Sequence, residues 1–194
     1  MKKVVFIDKD GTLIRDVPYN VNTSMVAFED QAIPALQMLQ AFGYQLIIVS
    51  NQPGIAFSYF STEEVQQVYQ YIAAQLLLQG IQLSGFYYCP HHQHGNCRPY
   101  VKACYCRKPM PGLLLKAAME LDIDLEHSWM IGDILDDSEA GNRAGCTTIL
   151  LNNGNETEWV LNNNRRPDFI CSNWKDAAAV IIQYANEKNC VEHL

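Results

Sequence analysis

The chain has 194 residues, of which 48% are apolar and 18% charged, with a net charge of -7. That length suits one well-buried domain rather than two, and the composition is that of a soluble globular protein. An acidic balance without a basic block argues against a nucleic-acid scaffold. No apolar run approaches the ~20 residues that span a bilayer, and the Met-Lys-Lys start lacks a secretory h-region.

Val4-Val5-Phe6-Ile7 is apolar throughout and predicts a buried strand. It runs into Asp8-Lys9-Asp10-Gly11-Thr12, where two carboxylates flank one residue. The two acids share a face if the chain stays extended, and Gly11 permits a tight turn beyond them. Residues 13–28 read as a loop overhanging that strand end, with turn chemistry at Asp16-Val17-Pro18-Tyr19-Asn20. Ile33, Leu36, Leu39 and Phe42 form a helical stripe over residues 31–42, with Pro34 in the first turn and Gly43 as the stop. Residues 45–49 predict a second buried strand, ending in Ser50-Asn51-Gln52-Pro53-Gly54.

Ser61 or Thr62 caps the next helix, with Glu63 and Glu64 in its first turn. Val65, Val68, Ile72, Leu76 and Leu77 make its apolar face, and Gly80 closes it. Residues 83–88 predict a third strand, 112–121 a helix, and 129–133 a fourth strand that ends in an acid. Asp136 and Asp137 follow, then a short helix over 139–145 and a fifth strand over 147–151. The asparagine-rich stretch 152–167 reads as an ordinary surface loop with a helical turn at most. A short strand at 168–171 and an amphipathic helix over 174–184 close the chain. Strands alternating with helices imply βαβ units and a mainly parallel sheet, in which ligands bind beyond the strands' carboxyl ends. Here the first, second and fourth strands end in Asp8/Asp10, Ser50/Asn51 and Asp133/Asp137.

That rim has a definite chemistry. Asp8 and Asp133 can share a hard divalent cation, and Mg²⁺ suits a site with few carboxylates and retained waters. Asp8 can attack phosphorus to form an aspartyl phosphate. Asp10 can protonate the leaving oxygen and later activate water. Ser50 and Asn51 offer donors to phosphoryl oxygens, and Lys108 offers a fixed positive charge. Of the seven cysteines, Cys89, Cys97, Cys104 and Cys106 fall in one eighteen-residue window, a clustering that favours metal over disulfides in a chain without a signal peptide. Cys146 and Cys171 read as buried small hydrophobes, and Cys190 lies near a terminus expected to fray.

Asp8-Lys9-Asp10-Gly11-Thr12 resembles the first motif of the haloacid dehalogenase phosphohydrolases. Ser50, Lys108 and Gly132-Asp133 with Asp137 fall where the other three motifs of that superfamily belong. Within it the chain is most similar, over residues 3–151, to the D-glycero-D-manno-heptose 1,7-bisphosphate phosphatases. The matching residues are Ser50-Asn51-Gln52, Gly54-Ile55-Ala56, Cys89-Pro90-His91-His92, Cys104 and Cys106-Arg107-Lys108-Pro109. The resemblance implies a three-layer α/β/α sandwich with a Rossmann-like sheet and no large cap. It implies Asp8 as nucleophile, Asp10 as acid/base, and Ser50 and Lys108 as phosphate stabilisers. Substrate recognition would fall to Arg107, Lys9, Asp16, Tyr19, Asn51 and Gln52. Mg²⁺ would sit on Asp8, Asp133 and the Asp10 carbonyl, with Asp137 behind them.

That family's zinc pattern, Cys-x-His and then Cys-x-Cys after a loop, resembles Cys89, His91, Cys104 and Cys106. Three thiolates and an imidazole suit a closed, structural Zn²⁺ site that would pin the loop carrying Arg107 and Lys108. Cys97, His92 and His94 are spare ligands. Two positions depart from the pattern: Phe57-Ser58 stands where Arg-Gly is common, and Ile134 where a basic residue is common. Both remove positive charge near the rim. The resulting expectation is a single-domain, cytoplasmic, monomeric Mg²⁺-dependent phosphatase of a small phosphorylated sugar, with no nucleic-acid or membrane partner. Heptose bisphosphate, a precursor of nucleotide-activated heptose for surface glycans, is the first choice and histidinol phosphate the rival. The acidic charge counts against a DNA 3′-phosphatase. A non-catalytic, zinc-stabilised sugar-phosphate binding module is the reading from another class, and the intact Asp8 and Asp10 speak against it.

Overall fold

A computed structural model describes residues 1–191, and their side chains through residue 188. Its strands are β1 (Val4–Ile7), β2 (Gln45–Asn51), β3 (Leu83–Cys89), β4 (Trp129–Gly132), β5 (Thr147–Leu151) and β6 (Phe169–Cys171). They form one sheet in the order β3-β2-β1-β4-β5-β6, with every neighbouring pair parallel. The central strands read as unbroken apolar runs because a parallel sheet covered on both faces has no wet side. Alternation still sorts their side chains. Val5, Ile7, Leu46, Ile48 and Ile131 enter one core, while Val4, Phe6, Ile47, Val49 and Met130 enter the other.

Helices α1 (Ala32–Ala41), α2 (Thr62–Leu78) and α5 (Trp174–Val191) cover the first face, and α3 (Gly112–Leu121) and α4 (Leu135–Ala144) the second. The result is the expected three-layer sandwich. Apart from the helices that cover the two faces, the loops at the carboxyl edge carry among the described residues only a 3₁₀ turn at Thr23–Met25, so no large cap covers that edge. Trp174 is buried in the first core, and its Nε1 donates to Thr12 O at 2.7 Å, tying α5 to the turn after β1.

Several local expectations shift. Ser61, not Thr62, caps α2, through a reciprocal box with Glu64. Leu77 is 65% exposed and leaves the apolar face to Val65, Val68, Ile72 and Leu76. Phe42 falls at the end of α1 and is 40% exposed; Ala32, Ala35, Leu36 and Leu39 are its buried face. Helix α4 begins at Leu135 rather than Glu139, so Asp136 and Asp137 lie in its first turn, where backbone N–H groups favour acids. Helix α5 runs past Tyr184 to Val191. Cys146 and Cys171 are buried as expected, and the side chain of Cys190 lies outside those described.

Candidate active site

Strand β1 ends at Ile7, and Asp8 is held beside β4 by its N–H, which donates to Ile131 O at 2.9 Å. The turn beyond depends on Gly11. Its φ of +78° favours glycine, and a Cβ there would meet Asp133 Oδ2 at 2.3 Å. Gly132 is required for a similar reason: an added Cβ would lie 2.2 Å from Asp137 Cβ. These two glycines let the end of β1, the end of β4 and the first turn of α4 converge. Carboxylate oxygens of Asp8, Asp133 and Asp137 then lie within 4.8 Å of one another, all three side chains buried.

Lys108 enters this cluster from the far side of the sequence. Its Nζ lies 2.5 Å from Asp8 Oδ1 and 2.6 Å from Asp137 Oδ1, and it donates to Val49 O at 3.2 Å. The approach to Asp137 is an ion contact rather than a directed hydrogen bond. Burial by itself would lower the lysine, but Asp137 and Asp8 outweigh it and hold the ammonium charged. Burial is also the largest influence on Asp137; it pushes that carboxyl up, with Lys108 opposing and Asp8 and Asp133 adding. Asp133 is pushed up to about 6, by burial first and then by the charge of Asp8. Its two oxygens are spoken for: Oδ1 accepts from Thr12 Oγ1 at 2.7 Å and Oδ2 from Asn155 Nδ2 at 2.8 Å.

Asp10 stands apart from that cluster. It is 31% exposed along its side chain, and burial raises it against the pull of Lys9, whose Nζ lies 2.9 Å from Oδ1. A raised carboxyl that still meets solvent suits proton donation followed by proton removal. Gln52 Nε2 donates to Asp10 Oδ2 at 3.1 Å and to Ser50 Oγ at 2.8 Å. The Ser50 hydroxyl, already an acceptor, therefore keeps its own proton for an incoming oxygen.

Three residues expected to touch substrate are turned elsewhere. Lys9 is buried on Asp10, because a lysine so placed needs its carboxylate more than it needs solvent. Asn51 clamps the backbone of Lys108 in both directions, donating from Nδ2 to the carbonyl and accepting from the N–H at Oδ1, each at 3.0 Å. Gln52 bridges Asp10 and Ser50 through the two hydrogen bonds described above. Asp16 is exposed on the overhanging loop. Tyr19 packs edge-on against Tyr59 at 4.8 Å, and Phe57 stacks on Tyr59 and meets His92 at 4.7 Å. An aromatic wall thus stands where Arg-Gly is common. Arg107 Nη1 is buried and has no hydrogen-bond partner, so it is a donor still to be used.

The stretch after β5 is not a bystander. Asn153 Nδ2 donates to Gly11 O at 2.6 Å, Asn155 reaches Asp133, and Glu156 Oε2 accepts from Leu135 N at 2.6 Å. The expectation of an ordinary surface loop fails because these side chains span 142 and 22 residues of sequence to find partners. The strand-end rule applied to β1, β2 and β4 would have flagged them, since β5 also ends in asparagines.

Beyond β3, Cys89, His91, Cys104 and Cys106 meet at one point. The sulfurs lie 3.2, 3.3 and 3.4 Å apart, and His91 Nδ1 lies 3.3 Å from Cys106 and 3.7 Å from Cys89. Metal–sulfur bonds of roughly 2.3 Å in a tetrahedron imply sulfur separations of about 3.8 Å, so the cage is slightly tight but the right size. Burial pushes the Cys89 thiol up and lowers His91, leaving the imidazole neutral and able to ligate. His92, His94 and Cys97 lie outside this cluster.

Comparison with known proteins agrees with this geometry. A HAD-hydrolase-like family model matches residues 105–177. The D-glycero-beta-D-manno-heptose-1,7-bisphosphate 7-phosphatase of Pasteurella multocida is 44% identical over 155 residues, 79% of this chain and 84% of that protein. The protein of the same name from Escherichia coli K12 is 36% identical over 167 residues, covering 81% and 87%. A D,D-heptose 1,7-bisphosphate phosphatase from B. bronchiseptica, solved with magnesium and phosphate, shares the fold: TM-score 0.76 at 24% identity, over 95% of this chain and 99% of that one. The clustered acids, the buried lysine and the overall likeness converge, and the chain belongs to the heptose-bisphosphate 7-phosphatase family of haloacid dehalogenase-like phosphomonoester hydrolases.

Proposed function

We propose that this chain removes the 7-phosphate from D-glycero-D-manno-heptose 1,7-bisphosphate and leaves heptose 1-phosphate, using Mg²⁺ at the acid cluster and Zn²⁺ in the cysteine cage. The observation that carries the reading is the buried Lys108 on Asp8, beside Asp133, in a chain 44% identical to a phosphatase of that name.

The donor sets fit both ions. One ammonium among three buried carboxylates leaves negative charge that a divalent cation balances, and oxygen donors suit magnesium. Asp137 is engaged by Lys108 and by the N–H of Ile134, so Asp8, Asp133 and the Asp10 carbonyl are the assigned ligands, with Asp137 behind them. Three sulfurs and a nitrogen suit a closed zinc site without a water position. When bound, magnesium supplies charge neutralisation for a phosphate approaching an anionic nucleophile.

Asp8 attacks phosphorus through the oxygen not held by Lys108. The new O–P bond forms as the ester O–P bond breaks, and Asp10 gives its proton to the departing C7 oxygen. Asp10 then takes a proton from water, the water oxygen attacks phosphorus, and the acyl phosphate releases inorganic phosphate and restores Asp8. Ser50 and Lys108 meet the charge that builds on the phosphoryl oxygens. Gln52 and Lys9 hold Asp10 between its two roles, and Asn51 fixes the backbone of Lys108. Arg107, its Nη1 unpaired, is the residue assigned to the second phosphate. The aromatic wall of Tyr19, Phe57 and Tyr59 offers an apolar surface to the sugar.

The test is phosphate release from both anomers of the heptose bisphosphate and from histidinol phosphate, with Asp8→Asn as the zero. Preference for a heptose bisphosphate, abolished in the variant, is expected. Faster turnover of histidinol phosphate, or turnover by Asp8→Asn within tenfold of wild type, would sink the reading.

A further inference from the structure

Strand β5 runs into the three side chains that tie 152–158 to the site. Asn153 holds Gly11 O, Asn155 holds Asp133 Oδ2, and Glu156 accepts from the N–H of Leu135, at the start of α4. The segment is stiffened from within: Asn153 Oδ1 accepts from Asn155 N, and Glu156 Oε1 accepts from Glu158 N. It therefore works as a strap across the carboxyl ends of β4 and β1. Only one of its contacts falls on a candidate cation ligand.

We infer that Asn155 is a positioning residue for the cation site: its amide, with the Thr12 hydroxyl, sets the plane and lone-pair direction of the Asp133 carboxylate. The physical case is steric as well as polar. Thr12 and Asn155 each take one oxygen of Asp133, so the carboxylate cannot rotate without losing a hydrogen bond. Gly11 closes the remaining space, since a Cβ there would meet both Asp133 Oδ2 and Asn155 Nδ2, the latter at 2.6 Å. A ligating carboxylate oxygen keeps a second lone pair for such a donor, and partners of this kind typically change metal affinity by about 10–100-fold. Asn155 is exposed, so water can partly replace its amide, and the lower end of that range is expected here. Asn153 and Glu156 act one step further out, by fixing the strap that carries the amide.

The inference rests on the reading that Asp8 and Asp133 hold Mg²⁺, and its deciding measurement, a metal titration, needs no substrate. Magnesium chloride would be titrated calorimetrically into zinc-loaded wild type, Asn155→Ala and the control Asn152→Ala, whose side chain is exposed. Asn155→Ala is expected to bind Mg²⁺ about tenfold more weakly, and Asn152→Ala like wild type. At saturating Mg²⁺ the KM of Asn155→Ala should match wild type, and its thermal midpoint without Mg²⁺ should lie within a degree or so, a pattern that general loosening of the fold would not produce. Equal or tighter Mg²⁺ binding by Asn155→Ala overturns the inference while leaving the cation site standing. An absence of Mg²⁺ binding in wild type overturns both.

Discussion

Lys108 Nζ touches Asp8, Asp137 and Val49 O together, from a side chain that is only 3% exposed. A buried ammonium survives only with such company, and the carboxylates survive only with it. The remaining acid, Asp133, has no ammonium of its own, and its rise to about 6 makes a pH-dependent cost. Its ordinary value is 3.8, so between those two pH values the folded, magnesium-free protein keeps a proton that the unfolded chain has released. Stability contributed by this group therefore falls as pH rises through that window. Asp10 and Asp137 are raised as well and slope the same way. Magnesium-free wild type is expected to lose more stability from pH 4 to pH 6.5 than Asp133→Asn does. Scanning calorimetry on the two proteins checks this; identical slopes would remove Asp133 from the account.

Among the elements, the connection from Cys89 to Pro111 bears the most chemistry on the least regular structure. It contains no helix or strand past β3, yet delivers Arg107 and Lys108 to the site. Ordering such a length costs backbone entropy that its own small apolar content cannot offset, whereas a four-ligand metal cage can. Cys104→Ser is expected to lose zinc, seen by elemental analysis. Loosening of Arg107 and Lys108 should then raise KM and lower kcat, while far-ultraviolet circular dichroism keeps the signature of the sheet and helices. Excess Mg²⁺ should not restore activity, since thiolates and carboxylates select different ions. Full activity in protein stripped of zinc would show that the loop holds itself. The motif spacing made this cage legible in the sequence. The aromatic wall opposite was not, because Tyr19, Phe57 and Tyr59 come from two separate connections and meet only through packing.

Across the whole molecule, two cores sandwich the sheet, and the site lies where their polar edges meet. No helix of the described residues is long and apolar enough to cross a membrane. Among the described residues, the last helix is tied to the site by Trp174 Nε1, which donates to Thr12 O, while Thr12 Oγ1 in turn donates to Asp133. Trp174→Phe deletes the donor, leaves a buried carbonyl unpaired and removes volume from a packed core. A loss of stability on the order of 2 kcal/mol is expected, read as a lower denaturant midpoint at unchanged slope. A variant as stable as wild type would mean that water or a shifted backbone satisfies Thr12.

Runs such as Val4–Ile7, Gln45–Asn51 and Trp129–Gly132 determined by themselves the parallel sheet, its helices on both faces, and the carboxyl edge as the site, because periodicity and strand ends are local properties of the chain. The same holds for Asp8, Asp10, Ser50 and Asp133 as the polar groups at that edge, whereas Lys108, in a connection without helix or strand, was tied to it only by the motif resemblance. Which of them touch was decided only by tertiary structure. Lys9 turns onto Asp10, Asn51 onto the Lys108 backbone, Gln52 onto Ser50 and Asp10, and Asn155 onto Asp133. A side-chain amide has donors and acceptors for many partners, and residue type alone does not choose among them. The choice falls to whichever group the fold brings within about 3 Å, and for three of these pairs that partner lies 22, 42 and 57 residues away.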